Sequence, residues 1–510
     1  MTVFRNDNVH LDPTPALLHH ETLDSGGRWS DQVAVLDAAT GSAIGHAELA
    51  DRARRFAAGL RARGARRGDV IALVAANGAA FPVAMHGALA AGLTLAPANP
   101  LLTARELGAF LRLVRARFLV ADAASFAVAG AAARGQELFA LESLPEADSP
   151  VAEGGDPADL ALLMSSSGTT GLPKSAAHTH AGAVAMLRAF GSFPFTRLTP
   201  GDVVAGVIPF AHIFGSVLLN AALRAGGRVV TLPRFELEAF LAMVEQHRVT
   251  VVPAVPPLAR ALAFHPLVDR YDLSSLRLLL IGAAPCPTEV EIACQERLGC
   301  VVGQSFGMSE LGPIALLDEP LRPGALGRLV PGMEAVVVDR EDGERLGAGE
   351  TGELWVRSPQ LMAGYLGDET ATAATIDAQG WLHTGDLATF DDDGYLYVVD
   401  RLKELIKVRG YQVAPAQLEA ELVAHPAVAD AAVVPRPDEE AGEVPVAYVA
   451  LGEPADPAAI AAWVAGRVAP YKRLADVIVV DEVPRNPTGK LLRRVLVERE
   501  RDGANAASTV

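Results

Sequence analysis

The sequence predicts a mixed α/β fold in two unequal parts, on three observations. Short apolar runs alternate with helical stretches through the first four hundred residues, the texture changes near residue 390, and 510 residues exceed one ordinary domain. Residues 70–75 form the first run, followed by a helical stretch over 81–91 and another run at 93–96. Thr103 and Glu106 stand at capping-box spacing and open a helix toward Val114, ahead of the run 118–121. The runs at 156–163 and 276–281 continue the rhythm. Apolar runs of this length between helices suit strands covered on both faces, hence sheets with many parallel strands. After the Asp-Asp-Asp-Gly turn at 391–394 comes a short strand at 395–399, and Pro415 suits the first turn of a helix. The expected division is a large N-terminal domain of stacked α/β sheets, 1–400, and a small mobile α/β domain, 401–510, whose tail frays after Arg501.

A formal charge of −17 argues against a nucleic-acid or anionic-membrane partner. Only five of the 44 basic residues are lysines: Lys174, Lys403, Lys407, Lys472 and Lys490. A chain that uses arginine almost everywhere else makes those five positions suspects. Cys286, Cys294 and Cys300 lack metal-ligand spacing and read as inert thiols of a reducing compartment. The N-terminus has no signal pattern, and the apolar stretch 207–223 is broken by Pro209, His212 and Asn220, so it reads as a buried segment and not a membrane span. A cytoplasmic protein without a transmembrane segment is expected.

The segment SSSGTTGLPK at 165–174 is the sharpest chemical feature. Small hydroxyls and unobstructed backbone N–H groups can wrap phosphate oxygens, and Lys174 adds a point charge. It is not a Walker loop, because Pro173 lacks the N–H that the Walker glycine would donate. The segment resembles the phosphate-binding signature of the adenylate-forming superfamily, which includes acyl-CoA synthetases, luciferases and peptide-synthetase adenylation domains. Further motifs follow in that family's order: PFAH at 209–212, GAAP at 282–285, QSFGMSE at 304–310, GELW at 352–355, WLHTGD at 381–386, DRLKELIK at 400–407 and PRNPTGK at 484–490. YDLSS at 271–275, LMAGYL at 361–366, QVAP at 412–415 and PYKR at 470–473 look most like 4-coumarate–CoA ligases and their relatives.

The resemblance implies an AMP-forming acid–CoA ligase that uses ATP, Mg²⁺ and CoA. For the nucleotide it implies Ser166, Ser167, Gly168, Thr169, Thr170, Gly171 and Lys174 at the phosphates. Gly282, Ala283, Ala284, Gln304, Phe306, Gly307, Met308 and Ser309 would surround the adenosine, with Asp386 and Arg401 at the ribose. Glu310 and Thr170 would hold the metal, since a hard cation wants oxygen. Phe210, His212, Ser216, Ala284, Gly307 and Ile314 would line the acid pocket, and Arg409 and Gly410 the CoA side. Lys490 is implied as the catalytic cation of the first step, Lys407 as that of the second, Lys403 as the hinge and His212 as a catalytic gate; Lys472 has no assigned role. Ala211 and Thr288 depart from the aromatic and the lysine usual in coumarate ligases, which leaves room for another aryl or aliphatic acid. A carrier-protein acceptor and a non-catalytic nucleotide binder are the alternatives. The pattern G-x-S-x-G at 303–307 would suit a serine hydrolase only if Ser305 met Asp386 and His425.

Overall fold

The computed structural model describes residues 2–24, 29–148, 155–166, 174–232, 234–402, 404–409, 411–438, 441–485, 489 and 491–507, with backbone alone at Ser166, Gln412 and 501–507. Two seven-stranded sheets dominate the large domain. In one, Val301–Gln304, Leu278–Ile281, Val251–Ala254, Val203–Gly206, Arg228–Thr231 and Val33–Asp37 lie parallel in that order, and Ala43–Gly45 closes the edge antiparallel. Leu278 to Ile281 are each at most 1% exposed, so the unbroken apolar run is a strand covered on both faces.

In the other sheet, Glu137–Ala140, Phe118–Ala121, Val70–Val74, Thr94–Ala98 and Leu160–Ser166 are parallel, and Lys174–Thr179 and Gly364–Tyr365 complete it antiparallel. The helices His46–Ala62, Ala80–Ala90, His180–Phe190 and Ile213–Ala225 share one core with both sheets, in which Phe56, Met85, Leu187 and Leu218 pack with Val35, Leu73 and Met164. The capping box is formed: Thr103 Oγ1 accepts from Glu106 N at 3.3 Å, and the Glu106 carboxylate accepts from Thr103 N at 2.9 Å. One boundary differs from the sequence reading. Ser165 and Lys174, taken there as loop residues, are paired strand positions opposite Ser175 and Ser166.

A four-stranded antiparallel sheet, Glu334–Val338, Gly352–Arg357, Leu382–Phe390 and Leu396–Arg401, carries the chain toward the small domain. There Tyr411–Val413, Ile406–Val408, Gly442–Leu451 and Val428–Asp438 form a sheet with Asp476–Val480, beside the helices Pro415–Val423, Pro457–Ala465 and Arg493–Ala507. Among the described residues no helix is long and apolar enough to cross a membrane. The stretch 207–223 falls largely into the buried helix Ile213–Ala225.

His19, His86 and His180 lie buried near one another under the first helix, Leu18–Leu23. Burial pushes the His19 imidazole down to about 2, with His20 adding to the effect, His86 to about 3 and His180 to about 4. An unfolded imidazole takes its proton near pH ~6.5, so below that pH the folded state binds fewer protons than the unfolded one. The stability these groups contribute is complete above about pH 6.5 and is lost progressively as pH falls toward the folded values. Thermal midpoints measured from about pH 7.5 down to about pH 5 should therefore fall, and His86→Leu should flatten part of that fall. An unchanged slope in the variant would remove His86 from the account.

Candidate active site

The segment 306–310 leaves the first large sheet and is stitched to the edge of the second. His178 Nε2 donates to the Ser309 carbonyl at 2.7 Å, and Ser309 Oγ donates to the Ser165 carbonyl at 3.2 Å. Burial lowers the His178 pKa, with its hydrogen bond to Ser309 opposing, so the donating ring is neutral. Met362 N donates to the Glu310 carbonyl at 2.9 Å, and the Tyr365 hydroxyl donates to Glu310 Oε1 at 2.8 Å. Lys174 Nζ lies 4.8 Å from the centroid of the same Tyr365 ring, within cation–π range. Tyr365 thus touches both Lys174 and Glu310, the lysine and the carboxylate expected at the phosphates and the metal. Sequence reading used its motif only to choose a branch of the family and missed the residue.

Phe306, Gly307 and Met308 form a short strand paired with Gly312–Leu316. A Cβ on Gly307 would lie 2.5 Å from the Gly312 carbonyl oxygen, so no larger residue fits this hairpin. Ala283, between Gly282 and Ala284, has φ +70°, a left-handed conformation that costs a non-glycine residue about 1–3 kcal/mol. The loop holding it is clamped from behind: Gln304 Oε1 accepts from Cys286 N at 3.0 Å, and its Nε2 donates to Cys286 O and Glu291 Oε2, each at 3.1 Å. The Gln304 side chain is therefore spent inside the protein, which leaves the main chain as what this residue can offer a nucleotide.

Asp386 lies opposite Arg401 across the antiparallel pair, and Arg401 Nε donates to Asp386 Oδ1 at 2.8 Å. Burial disfavours the Arg401 charge, but Asp386, Glu404 and Glu310 outweigh it and hold the guanidinium above its ordinary pKa. Glu310 is thereby near enough to act on the ribose-side pair. Next along the strand, burial pushes the Asp400 carboxyl up to about 6, although it accepts from Arg401 N at 2.6 Å and from Ala416 N at 3.2 Å.

On the acid side, His212 caps the helix Ile213–Ala225, its Nδ1 accepting from Phe214 N at 3.3 Å. Ser216 is buried one turn into that helix, and Phe210 meets Phe81 edge-on at 5.5 Å. Ile314 is fully buried in the main core. Thr288 opens the helix Thr288–Leu298. The hydrolase alternative fails on geometry. Ser305 Oγ donates to Ile281 O, Asp386 holds Arg401, and His425 packs on Trp463 in the small domain, so the three do not meet.

In the small domain Lys407 is exposed on the strand Ile406–Val408, and Arg409 turns with φ +49°. Lys472 donates to Gln417 Oε1 at 2.7 Å, beside the stacked rings of Tyr471 and Tyr411. Ser167, Gly168, Thr169, Thr170, Gly171, Lys403, Gly410 and Lys490 lie outside the described residues, as does the side chain of Ser166.

A lysine, a buried carboxylate and an aspartate–arginine pair, gathered where three sheets meet and continued into a small α/β domain, define a two-domain α/β enzyme class. The chain belongs to the AMP-binding enzyme family: residues 24–366 match the family model and residues 417–490 match the AMP-binding enzyme C-terminal domain. It is 39% identical to 4-coumarate–CoA ligase 2 of Oryza sativa subsp. japonica, over 97% of this chain and 95% of that one. Among solved structures it resembles ATP-bound MatB from Rhodopseudomonas palustris, at 29% identity and a TM-score of 0.84 over 94% and 99% of the two chains. It also resembles a benzoate CoA ligase from Burkholderia xenovorans LB400, at 26% identity and a TM-score of 0.85 over 94% and 100%.

Tyr365→Phe keeps the ring under Lys174 and removes the hydroxyl that orients Glu310. Loss of such an outer-shell partner typically costs 10–100-fold in metal affinity. The Mg²⁺ concentration giving half-maximal acid-dependent ATP–pyrophosphate exchange should rise by about tenfold or more, with the thermal midpoint little changed. An unaltered Mg²⁺ dependence would show that the hydroxyl does not orient a metal ligand.

Proposed function

We propose that this chain is an ATP-dependent carboxylic acid–CoA ligase, acting in the cytoplasm through an acyl-adenylate on an aryl acid of hydroxycinnamate type or a medium-chain acid. The observation that carries this reading is the convergence of Lys174, Tyr365 and Glu310 with the Asp386–Arg401 pair. Lys174 and Glu310 meet at Tyr365, Glu310 acts on Arg401, and Arg401 is bound to Asp386, a buried carboxylate suited to a ribose diol. The names of its relatives, coumarate and benzoate CoA ligases, support the aryl class. Ala211 and Thr288 are the positions at which this chain departs from coumarate enzymes. Three buried free thiols, each with its pKa raised by burial, suit a reducing compartment. The domain boundary is taken at residues 400 and 401.

Glu310 fits a hard cation: it is 5% exposed, it offers carboxylate oxygen, and the Tyr365 hydroxyl fixes its orientation. Among the described residues no group of three His, Cys, Asp or Glu side chains could hold a metal by itself, which suits an ion carried chiefly by phosphates. Glu310, with Thr170, would hold Mg²⁺, which when bound supplies charge neutralisation at the phosphate oxygens.

In the first half-reaction a carboxylate oxygen of the acid attacks the α-phosphorus and the bond to pyrophosphate breaks. The loop from Ser166 to Gly171 and Lys174 bind the phosphates. Gly282, Ala283 and Ala284, with Phe306 to Ser309 and the Gln304 main chain, surround the adenosine. Lys490 steadies the charge that builds on the phosphoryl oxygens. Phe210, His212, Ser216, Ala284, Gly307 and Ile314 shape the acid side, with His212 as its gate. In the second half-reaction the small domain turns about Lys403 and presents Lys407, Arg409 and Gly410. CoA thiolate then attacks the acyl carbon and AMP leaves.

Lys490→Ala should block acid-dependent pyrophosphate release, by about 10²-fold or more, while sparing thioester formation from preformed acyl-adenylate. Equal loss of both steps would contradict the division of labour. Pyrophosphate release across a panel of aryl and aliphatic acids, with and without CoA, should identify an aryl acid as the best substrate and show CoA-dependent AMP release without any carrier protein.

A further inference from the structure

The lysine motif 484–490 is anchored at its flanks. Arg485 and Leu491 pair across its base, and Leu492 N donates to Pro484 O at 2.9 Å. The Arg485 guanidinium grips Asp430 with two hydrogen bonds, Nε to Oδ2 at 2.9 Å and Nη2 to Oδ1 at 2.8 Å. Its third nitrogen, Nη1, donates to the Gly489 carbonyl at 2.8 Å. That carbonyl belongs to the peptide bond that leads into Lys490. A planar fork bound at two corners has no freedom left to swing, so the third contact fixes the carbonyl in space.

The same strand start that supplies Asp430 also meets the large domain. Arg260 Nη2 donates to the Val428 carbonyl, two residues before Asp430, at 3.0 Å. Arg260 lies on the helix Pro256–Phe264, whose N-cap is Val255. A Cβ on Gly489 would lie 3.1 Å from Val255, and Gly489 has φ +76°, so glycine is needed here for both reasons. One helix of the large domain therefore meets Gly489 with its N-cap residue and the strand that carries Asp430 with its arginine.

We infer that Arg485, braced by Asp430, is a positioning residue for the first half-reaction, and that Arg260 docks this brace against the large domain. The inference rests on the reading of Lys490 as the adenylating cation. Arg485 touches no reacting atom; it acts through the Gly489–Lys490 peptide. A displacement of about 1 Å at a catalytic group can cost about 10²-fold in rate.

The test uses the full chain with Arg485→Met, Arg260→Met, Lys490→Ala and the double variant Lys490→Ala/Arg485→Met. Acid-dependent ATP–pyrophosphate exchange reports the first step, and AMP release from preformed acyl-adenylate with CoA reports the second. Arg485→Met should lower exchange by about 10²-fold, leave the second step within about twofold, and cost nothing further in the Lys490→Ala background. Arg260→Met should show the same split with a smaller loss. Equal loss in both steps, exchange within about twofold of the parent, or a full additional loss in the double variant would each overturn the positioning role. The outcomes separate the two ideas. Intact exchange in Lys490→Ala overturns the reading of Lys490 itself, whereas loss there with intact exchange in Arg485→Met overturns only the inference. If Arg485→Met does not fold, Arg485→Lys, which keeps the charge but not the fork, carries the same test: the same split with a partial loss supports the role, and its absence overturns it.

Discussion

Four hydrogen bonds to the dipeptide Ser309-Glu310 hold the seam on which the site depends. Ser309 and Glu310 follow the first large sheet in the chain, while Ser165, His178, Met362 and Tyr365 belong to the second sheet or its edge. Beyond their shared helical core, the two sheets are also joined through Asn77, which donates to Gly206 O and Ile208 O and accepts from Phe210 N. The seam pins Glu310 at backbone and carboxylate at once. Lys174 then rests on the ring whose hydroxyl holds that carboxylate. The buried His178 is part of the same constraint: burial holds its pKa below the ordinary value and outweighs the bond to Ser309 and the nearby Glu310 carboxylate.

The large architecture was legible because its signals are local. An apolar run such as 278–281 must be a strand covered on both faces, and the Thr103–Glu106 pair must cap a helix whatever lies around it. The site was legible by resemblance at the level of segments but less so at single side chains. Gln304 shows why. Side chains alternate along a strand, and Val302, two residues earlier, packs toward the helix Thr288–Leu298. Gln304 must face the same way and so meets Cys286 and Glu291. That deduction needs the register, which no motif supplies. Tyr365 was missed for the converse reason: its partners Glu310 and Lys174 are 55 and 191 residues away, and nothing local marks such a meeting.

The scarcity of lysine gains a physical sense from where the arginines lie. Arg188 with Glu21, Arg277 with Asp202, Arg493 with Glu404 and Glu419, and Arg485 with Asp430 all use a planar fork against carboxylates in partly buried places. Such sites suit guanidinium, which is weakly hydrated and forked, better than ammonium. The described lysines sit otherwise: Lys174 on an aromatic face, Lys407 exposed, and Lys472 on an amide oxygen. Arginine builds the frame here, and none of the three described lysines is spent on a carboxylate in the described contacts.

The same pairs indicate where the proposed rotation can occur at low cost. Arg401 is bound to Asp386, and Leu402 N donates to Gly385 O at 2.9 Å, so the first two residues past the boundary are still anchored on the large domain. Glu404 is bound to Arg493, which also holds Glu419 and the Val433 carbonyl, so from Glu404 onward the side-chain anchors lie in the small domain. This support for a pivot at residue 403 comes from its neighbours alone. Asp430 and Arg485 travel together within the small domain, so their strong bidentate pair survives any such turn. The described contacts that must break include the hydrogen bond from Arg260 to a neutral carbonyl, worth about 1 kcal/mol or somewhat more, the bond from Ala416 N to Asp400 Oδ2 at 3.2 Å, and the close approach of Gly489 to Val255. An Asp430–Arg485 pair that stays whole within the small domain suits the proposal that Lys490 serves one half-reaction and is withdrawn for the next.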